Sequence, residues 1–204
     1  MTGNPKIFSV SKASHLDGWL RRLLFQPDRF VTTYVRTGDR VLDIGCGPGF
    51  FTLSIARKVG DTGLVIAVDV QEGMLDMLKE KAGKEGLLSR IRLHKAEPGS
   101  LALTEPENIS VAFAYYVVHE VPDAAHLMLE VYTHLVPGGT FLIVEPKFEV
   151  SASEFETTLA LAASAGFRKV NSPSVFLSRA VLFRKDQTVF AKKTVKYGNP
   201  DSKA

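Results

Sequence analysis

Thiol is almost missing from this 204-residue chain: Cys46 is its sole cysteine, so a disulfide framework and a cysteine-built metal cluster are excluded. The five histidines show no zinc-ligand spacing, and no Ser/His/Asp arrangement has supporting context, so no metal site is expected. No apolar run approaches the length that spans a bilayer. No leader with basic, apolar and cleavage regions opens the chain, and the expectation is a cytoplasmic protein. Charge of one sign is scarce too, with 25 basic residues against 22 acidic ones and a net charge of +3. The pairs Arg21-Arg22 and Lys192-Lys193 are too short to form the clustered basic face of a nucleic-acid enzyme. A chain of this length buries one core without staples.

What the chain does have is the run Val41-Leu42-Asp43-Ile44-Gly45-Cys46-Gly47-Pro48-Gly49-Phe50. It reads as a buried strand entering a glycine turn and then a helix. A second apolar run, Leu64 to Val68, ends in Asp69, 20 positions after Gly49. Strand, glycine turn, helix, strand and acid is the plan of a nucleotide-type site in a doubly wound sheet. The glycines serve positive φ and close approach of a ligand to the main chain, and the helix start aims its amides into the crevice.

The ligand is decided by charge. In a dinucleotide fingerprint the third glycine would come one position later, where Phe50 stands. A pyrophosphate a few Å from Asp43 would cost on the order of several kcal/mol. S-adenosylmethionine has no phosphate, and its sulfonium and ammonium groups would be attracted by Asp43. Asp69 is placed to accept from both ribose hydroxyls. Cys46 reads as a small side chain packed beside the cofactor rather than as a nucleophile.

These segments resemble the first two motifs of class I S-adenosylmethionine-dependent methyltransferases. Within that family the chain is similar to the small-molecule branch typified by ubiquinone/menaquinone C-methyltransferases. The resemblance runs from about Arg40 to Lys147 and is strongest over Asp43 to Phe50. It implies an α/β fold: a doubly wound, mostly parallel, seven-stranded Rossmann-like sheet with an antiparallel edge. It also implies a cofactor at the carboxyl ends of the first strands, and methyl transfer. Asp43, Gly45, Cys46, Gly47 and Gly49 would hold the methionine end, with Phe50 and Val70 flanking the pocket. Asp69 would hold the ribose, and Met74, Ala96 and Glu97 the adenine region. Either Tyr115, the cofactor-binding candidate, or Tyr116 would offer its ring face to the sulfonium.

Periodicity places the remaining elements. Apolar positions from Leu16 to Leu24 follow helical spacing, and Pro27 opens a second helix through about Tyr34. Together they suggest an N-terminal helical lid over residues 1–38, either contacting substrate through Trp19, Phe25 and Phe30 or packing on the core. The methyltransferase domain covers 39–195 and a disordered tail 196–204. Helices are expected over Phe51 to Val59, Gly73 to Leu87, Ala124 to Leu135 and Ser153 to Ala165. Strands are expected over Ile91 to Ala96, Ile109 to Val117, Thr140 to Glu145, Val170 to Phe176, and Ala180 to Phe183 with Val189 to Ala191. His119 is the candidate general base, oriented by Glu120. Its alternative reading is helix-start structure.

The expected partner is a small, partly apolar acceptor, with the chain a monomer or homodimer. Two alternatives stand beside it: an RNA- or protein-directed methyltransferase of the same fold, and a cofactor-binding regulatory protein without turnover.

Overall fold

The computed structural model describes residues 27–186. The expected helix over 16–24, the strand at 189–191 and the tail lie outside the described residues. Helix α1 (Pro27–Tyr34) leads into β1 (Arg40–Ile44), α2 (Thr52–Val59), β2 (Leu64–Asp69), α3 (Glu72–Lys84) and β3 (Ile91–Lys95). Then come β4 (Ile109–Tyr115), a 3-10 turn (Val118–Glu120), α4 (Ala124–His134), β5 (Leu135–Pro146), α5 (Ala152–Ser164), β6 (Phe167–Asn171) and β7 (Ser178–Lys185).

The strands form one sheet of order β3-β2-β1-β4-β5-β7-β6. Neighbours from β3 to β5 pair in parallel, while β7 runs antiparallel to both β5 and β6. The apolar residues of β1 and β4 divide by parity between two cores. Val41, Val111 and Phe113 face α1 to α3; Leu42, Ile44, Ala112 and Ala114 face α4 and α5. A sheet covered on both faces needs apolar residues at both parities, which explains the unbroken runs in the sequence. Chain order reverses between β1 and β4, and the crevice opens at the carboxyl ends of these strands.

Element ends are set by local chemistry. Helix α3 stops at Lys84, short of the expected Leu87, because Gly86 takes φ +68°. Leu87 N–H then bonds to Ala82 O at 2.8 Å and Gly86 N–H to Gly83 O at 3.2 Å, the paired closure of a glycine-terminated helix. Helix α5 begins at Ala152, ahead of the expected Ser153, through a reciprocal cap. Ser151 Oγ accepts from Glu154 N–H at 3.2 Å, and Glu154 Oε2 accepts from Ser151 N–H at 2.8 Å. The expected strand at Val170 to Phe176 is corrected to Phe167–Asn171. Buried Phe167 packs on the rings of Tyr132, Phe141 and Phe183 and fixes the strand's start. Pro173, which has no amide hydrogen for the ladder, falls in the loop that follows.

Helix α1 joins the sheet through aromatic rings. Phe30 lies 5.5 Å from Phe51, 6.4 Å from Phe113 and 5.9 Å from Tyr115 between ring centroids. Each such pair adds about 1 kcal/mol beyond area burial. Through Phe51 and Tyr115, α1 braces one wall of the crevice.

Candidate active site

The crevice holds a cleft of about 520 Å³ at the carboxyl ends of β1, β2 and β4. Its floor is the glycine turn. Gly45 sits at φ +65°, and a Cβ added there would fall 2.4 Å from Val117 Cγ2. Gly47, at φ +51°, has nothing within 4 Å of an added Cβ. One glycine lets the turn after β4 close onto the turn after β1; the other presents bare backbone to the cleft.

Two carboxylates anchor this floor. Asp43 is only 4 % exposed, and its Oδ2 accepts from the Thr52 hydroxyl at 2.6 Å. Burial pushes its carboxyl up to about 7, against the Thr52 hydrogen bond and with a further push from the charge of Asp69. Asp69 Oδ2 accepts from Gly47 N–H and Oδ1 from Gln71 N–H, both at 2.9 Å. Burial raises the Asp69 carboxyl, and these two amides oppose the rise. Each oxygen still has a lone pair for a ligand hydroxyl.

Of the residues expected at the cofactor, Asp43, Gly45, Cys46, Gly47, Phe50, Asp69, Val70, Met74, Ala96, Glu97 and Tyr115 all line the cleft. Burial raises the Cys46 thiol well above its ordinary value, with the charges of Asp43 and Asp69 adding to it, so this side chain is an inert filler. The segment after β3 is held in register by Ala96 N–H to Asp69 O at 3.0 Å and a two-way Glu97–Ser100 backbone bridge.

Gly49 requires a correction. It is absent from the cleft wall, and a Cβ added there would meet Leu78 Cδ1 at 2.5 Å. Its role is to let the turn press against α3.

His119 is also placed differently from the expectation. It is not in the cleft wall; Glu120 and Glu149 are. Its Nδ1 pairs with Glu145 Oε2, and its Nε2 lies 3.0 Å from Glu149 Oε2. Glu145 is 1 % exposed, and its other oxygen accepts from Val118 N–H at 2.9 Å. Burial pulls the His119 imidazole down, but the hydrogen bond and charge of Glu145, with the charges of Glu120 and Glu149, leave it raised overall. An imidazole whose two nitrogens both face carboxylates has no free lone pair for a substrate proton. The orienting acid is Glu145, not Glu120.

The far end of the cleft is apolar and was not legible in the sequence. Phe148, Phe176 and Leu177 line it and stand 72 %, 56 % and 57 % exposed. They come from the β5–α5 and β6–β7 loops, which only the sheet order brings together. Tyr116 and Leu177 take positive φ (62° and 50°), unusual for side chains of this size. Tyr116 hydroxyl and Ser178 Oγ share a hydrogen bond of 2.6 Å that holds these two segments together. The acids of the lining are Asp43, Asp69, Glu97, Glu120 and Glu149, and among the described residues no lysine, arginine or histidine joins them. Such a wall suits a cationic ligand free of phosphate. Among the described residues no group of three or more metal-ligating side chains is assembled, and no helix is long and apolar enough to cross a membrane.

Comparison with known proteins agrees with this geometry. A methyltransferase-domain family matches residues 41–139, the stretch from β1 to the start of β5's main ladder. The demethylmenaquinone methyltransferase of Lactobacillus johnsonii is 30% identical over 129 residues, 63% of this chain and 50% of that protein. The ubiquinone/menaquinone biosynthesis C-methyltransferase UbiE of Azotobacter vinelandii is 36% identical over 115 residues, 54% of this chain and 44% of that protein. The chain thus spans about half the length of the curated relatives it matches. The crystal structure of a SAM-dependent methyltransferase from Aquifex aeolicus superposes with a TM-score of 0.78 at 27% identity, covering 87% of this chain and 99% of that one. With its glycine turn, paired acids and cation-suited cleft, the chain is similar to class I S-adenosylmethionine-dependent methyltransferase domains, and among them to the ubiquinone/menaquinone C-methyltransferase branch.

Proposed function

We propose that the protein transfers the methyl group of S-adenosylmethionine to a small, partly apolar acceptor. The observation that carries this reading is the division of one cleft into two ends. The glycine-turn end has the acids Asp43 and Asp69 and the open space beside Gly47; the far end has Phe148, Phe176 and Leu177. The curated relatives are named for ubiquinone and menaquinone biosynthesis, which supports an acceptor with an apolar ring.

In this reading Asp43 and the glycine turn hold the methionine end. Asp69 receives the ribose hydroxyls, and Met74, Ala96 and Glu97 enclose the adenine. The Tyr115 ring lies beside the sulfonium, where its π-face favours a cation. Bound there, S-adenosylmethionine supplies a methyl already activated by positive sulfur. The chain's work is alignment: it fixes the acceptor in line with that carbon and keeps water out. Asp43 also discriminates against a dinucleotide's phosphates.

Calorimetry with S-adenosylmethionine and with a nicotinamide dinucleotide tests the donor. A radiolabelled-methyl screen of extract fractions, sorted by size and polarity, tests the acceptor. The expected label enters a small apolar fraction. Label in protein or RNA, or tight cofactor binding with no transfer at all, would overturn the proposal.

A further inference from the structure

The geometry points to Glu120, not His119, as the residue that meets the acceptor's polar head, and to a head that donates a proton and bears no negative charge. This rests on the methyl-transfer reading above and names the acceptor chemistry that the same cleft admits.

Three observations place it. Glu120 lines the cleft on the turn directly after β4, the strand next to β1. That turn touches the cofactor floor, since Val117 occupies the space beside Gly45. Glu120 therefore sits between the donor end and the apolar end formed by Phe148, Phe176 and Leu177. Second, the imidazole beside it acts on its charge but forms no bond to it. Both ring nitrogens of His119 are engaged elsewhere, by Glu145 and Glu149. Third, among the described residues the cleft wall contains acids and no basic side chain, so an anionic head would meet net repulsion.

The environment suits a proton acceptor. Burial raises the Glu120 carboxyl; the charge of His119 opposes this, and the charges of Glu149, Glu145 and Asp69 add to it. A carboxyl moved toward neutrality is a better base than an exposed one. The step balances as follows. The acceptor's O–H or N–H bond breaks and its proton passes to the Glu120 carboxylate. The electron pair left behind forms the new bond to the methyl carbon, either on that oxygen or nitrogen or, through the conjugated ring, on a carbon whose own hydrogen then moves as a proton to the oxygen and restores the ring. The pair of the old methyl–sulfur bond stays on sulfur, giving a neutral thioether, and Glu120 later releases the proton to water. His119 is a positioning residue: with Glu145 bonded to Val118 N–H, it fixes the turn that presents Glu120.

The test uses three probes of matched apolar body: para-butylphenol, para-butylbenzylamine and para-butylbenzoate. Each is titrated calorimetrically into the full chain saturated with S-adenosylhomocysteine. The phenol or the amine should bind at least about tenfold more tightly than the benzoate, the scale of one hydrogen bond to an ionised carboxylate. Glu120→Gln should shrink that gap to below about threefold, while Glu120→Asp, which keeps the charge, retains part of it. A tighter phenol assigns a hydroxyl head, and a tighter amine assigns an ammonium; either supports the inference. Benzoate binding as well as the other two, no probe binding at all, or a gap untouched by Glu120→Gln would overturn it. The saturating titration separates the two readings. Failure to bind S-adenosylhomocysteine would sink the methyl-transfer proposal, whereas normal binding without discrimination sinks only the role of Glu120.

Discussion

Gly47 donates its backbone N–H to Asp69 Oδ2 at 2.9 Å, which ties the turn after β1 to the acid that ends β2. The carboxylate thus shapes the loop it shares a cleft with, and its loss has two consequences. Asp69→Ala should weaken S-adenosylmethionine binding by about tenfold or more and lower the melting temperature, because the amides of Gly47 and Gln71 both lose their acceptor. Calorimetry and a thermal melt on the same preparation check both. Unchanged affinity would count against the ribose role.

Gly45 and Gly47 should separate stability from binding. Gly45→Ala drives a methyl into Val117 at a positive φ, so it should destabilise by about 2 kcal/mol or more. Gly47→Ala has open space around the new Cβ and should cost only about 1 kcal/mol, yet fill the ligand's place and abolish tight binding. Denaturant unfolding beside ligand titration distinguishes them. Equal loss of stability in the two variants would contradict the geometry.

Asp43 makes binding depend on pH. Its folded carboxyl titrates at about 7, above its ordinary 3.8, and a cationic ligand selects the ionised form. Affinity should therefore rise with pH by up to about tenfold per unit below 7 and level off above it. The stability of the ligand-free protein should move the other way. A raised carboxyl is stabilising in its protonated form, so that contribution fades as pH climbs from about 4 to 7. Asp43→Asn, whose amide oxygen still accepts from Thr52, should melt higher than the parent at pH about 8 while losing cofactor affinity. A flat pH profile in the parent would dismiss the assignment.

His119 should titrate above its ordinary 6.5, because the carboxylates around it outweigh burial. A group raised on folding contributes stability that is complete below its unfolded value and lost as pH rises through the folded one. Nuclear magnetic resonance of the imidazole should show the shift, and Glu145→Gln should reduce it. Glu145→Leu should destabilise by about 3 kcal/mol, since Val118 N–H and the imidazole lose a buried partner.

The exposed mouth should matter to the acceptor alone. Phe148→Ser and Phe176→Ser remove rings that stand mostly in solvent, so stability should change by no more than about 0.5 kcal/mol. Cofactor affinity should hold, while KM for the accepting fraction of the methyl screen rises. Loss of cofactor binding in either variant would place these rings wrongly.

Sequence alone determined the parts of this protein whose physics is local. A short run that is apolar at both parities and bounded by turn residues reads as a doubly covered strand, so β1, β2 and β4 were legible. The spacing from Gly45 to Asp69 announced the floor of the cleft, because turn conformation and the length of one crossover helix place both on adjacent strand tips. Tertiary structure decided everything that depends on which distant segments meet. Thr52 faces Asp43, Glu145 claims His119, and Phe148 comes beside Phe176 only because β7 inserts antiparallel next to β5. The same holds for the exchange of roles between His119 and Glu120. Neighbours in sequence, they point to different surroundings, and a side chain's chemistry is set by what surrounds it rather than by its place in the chain.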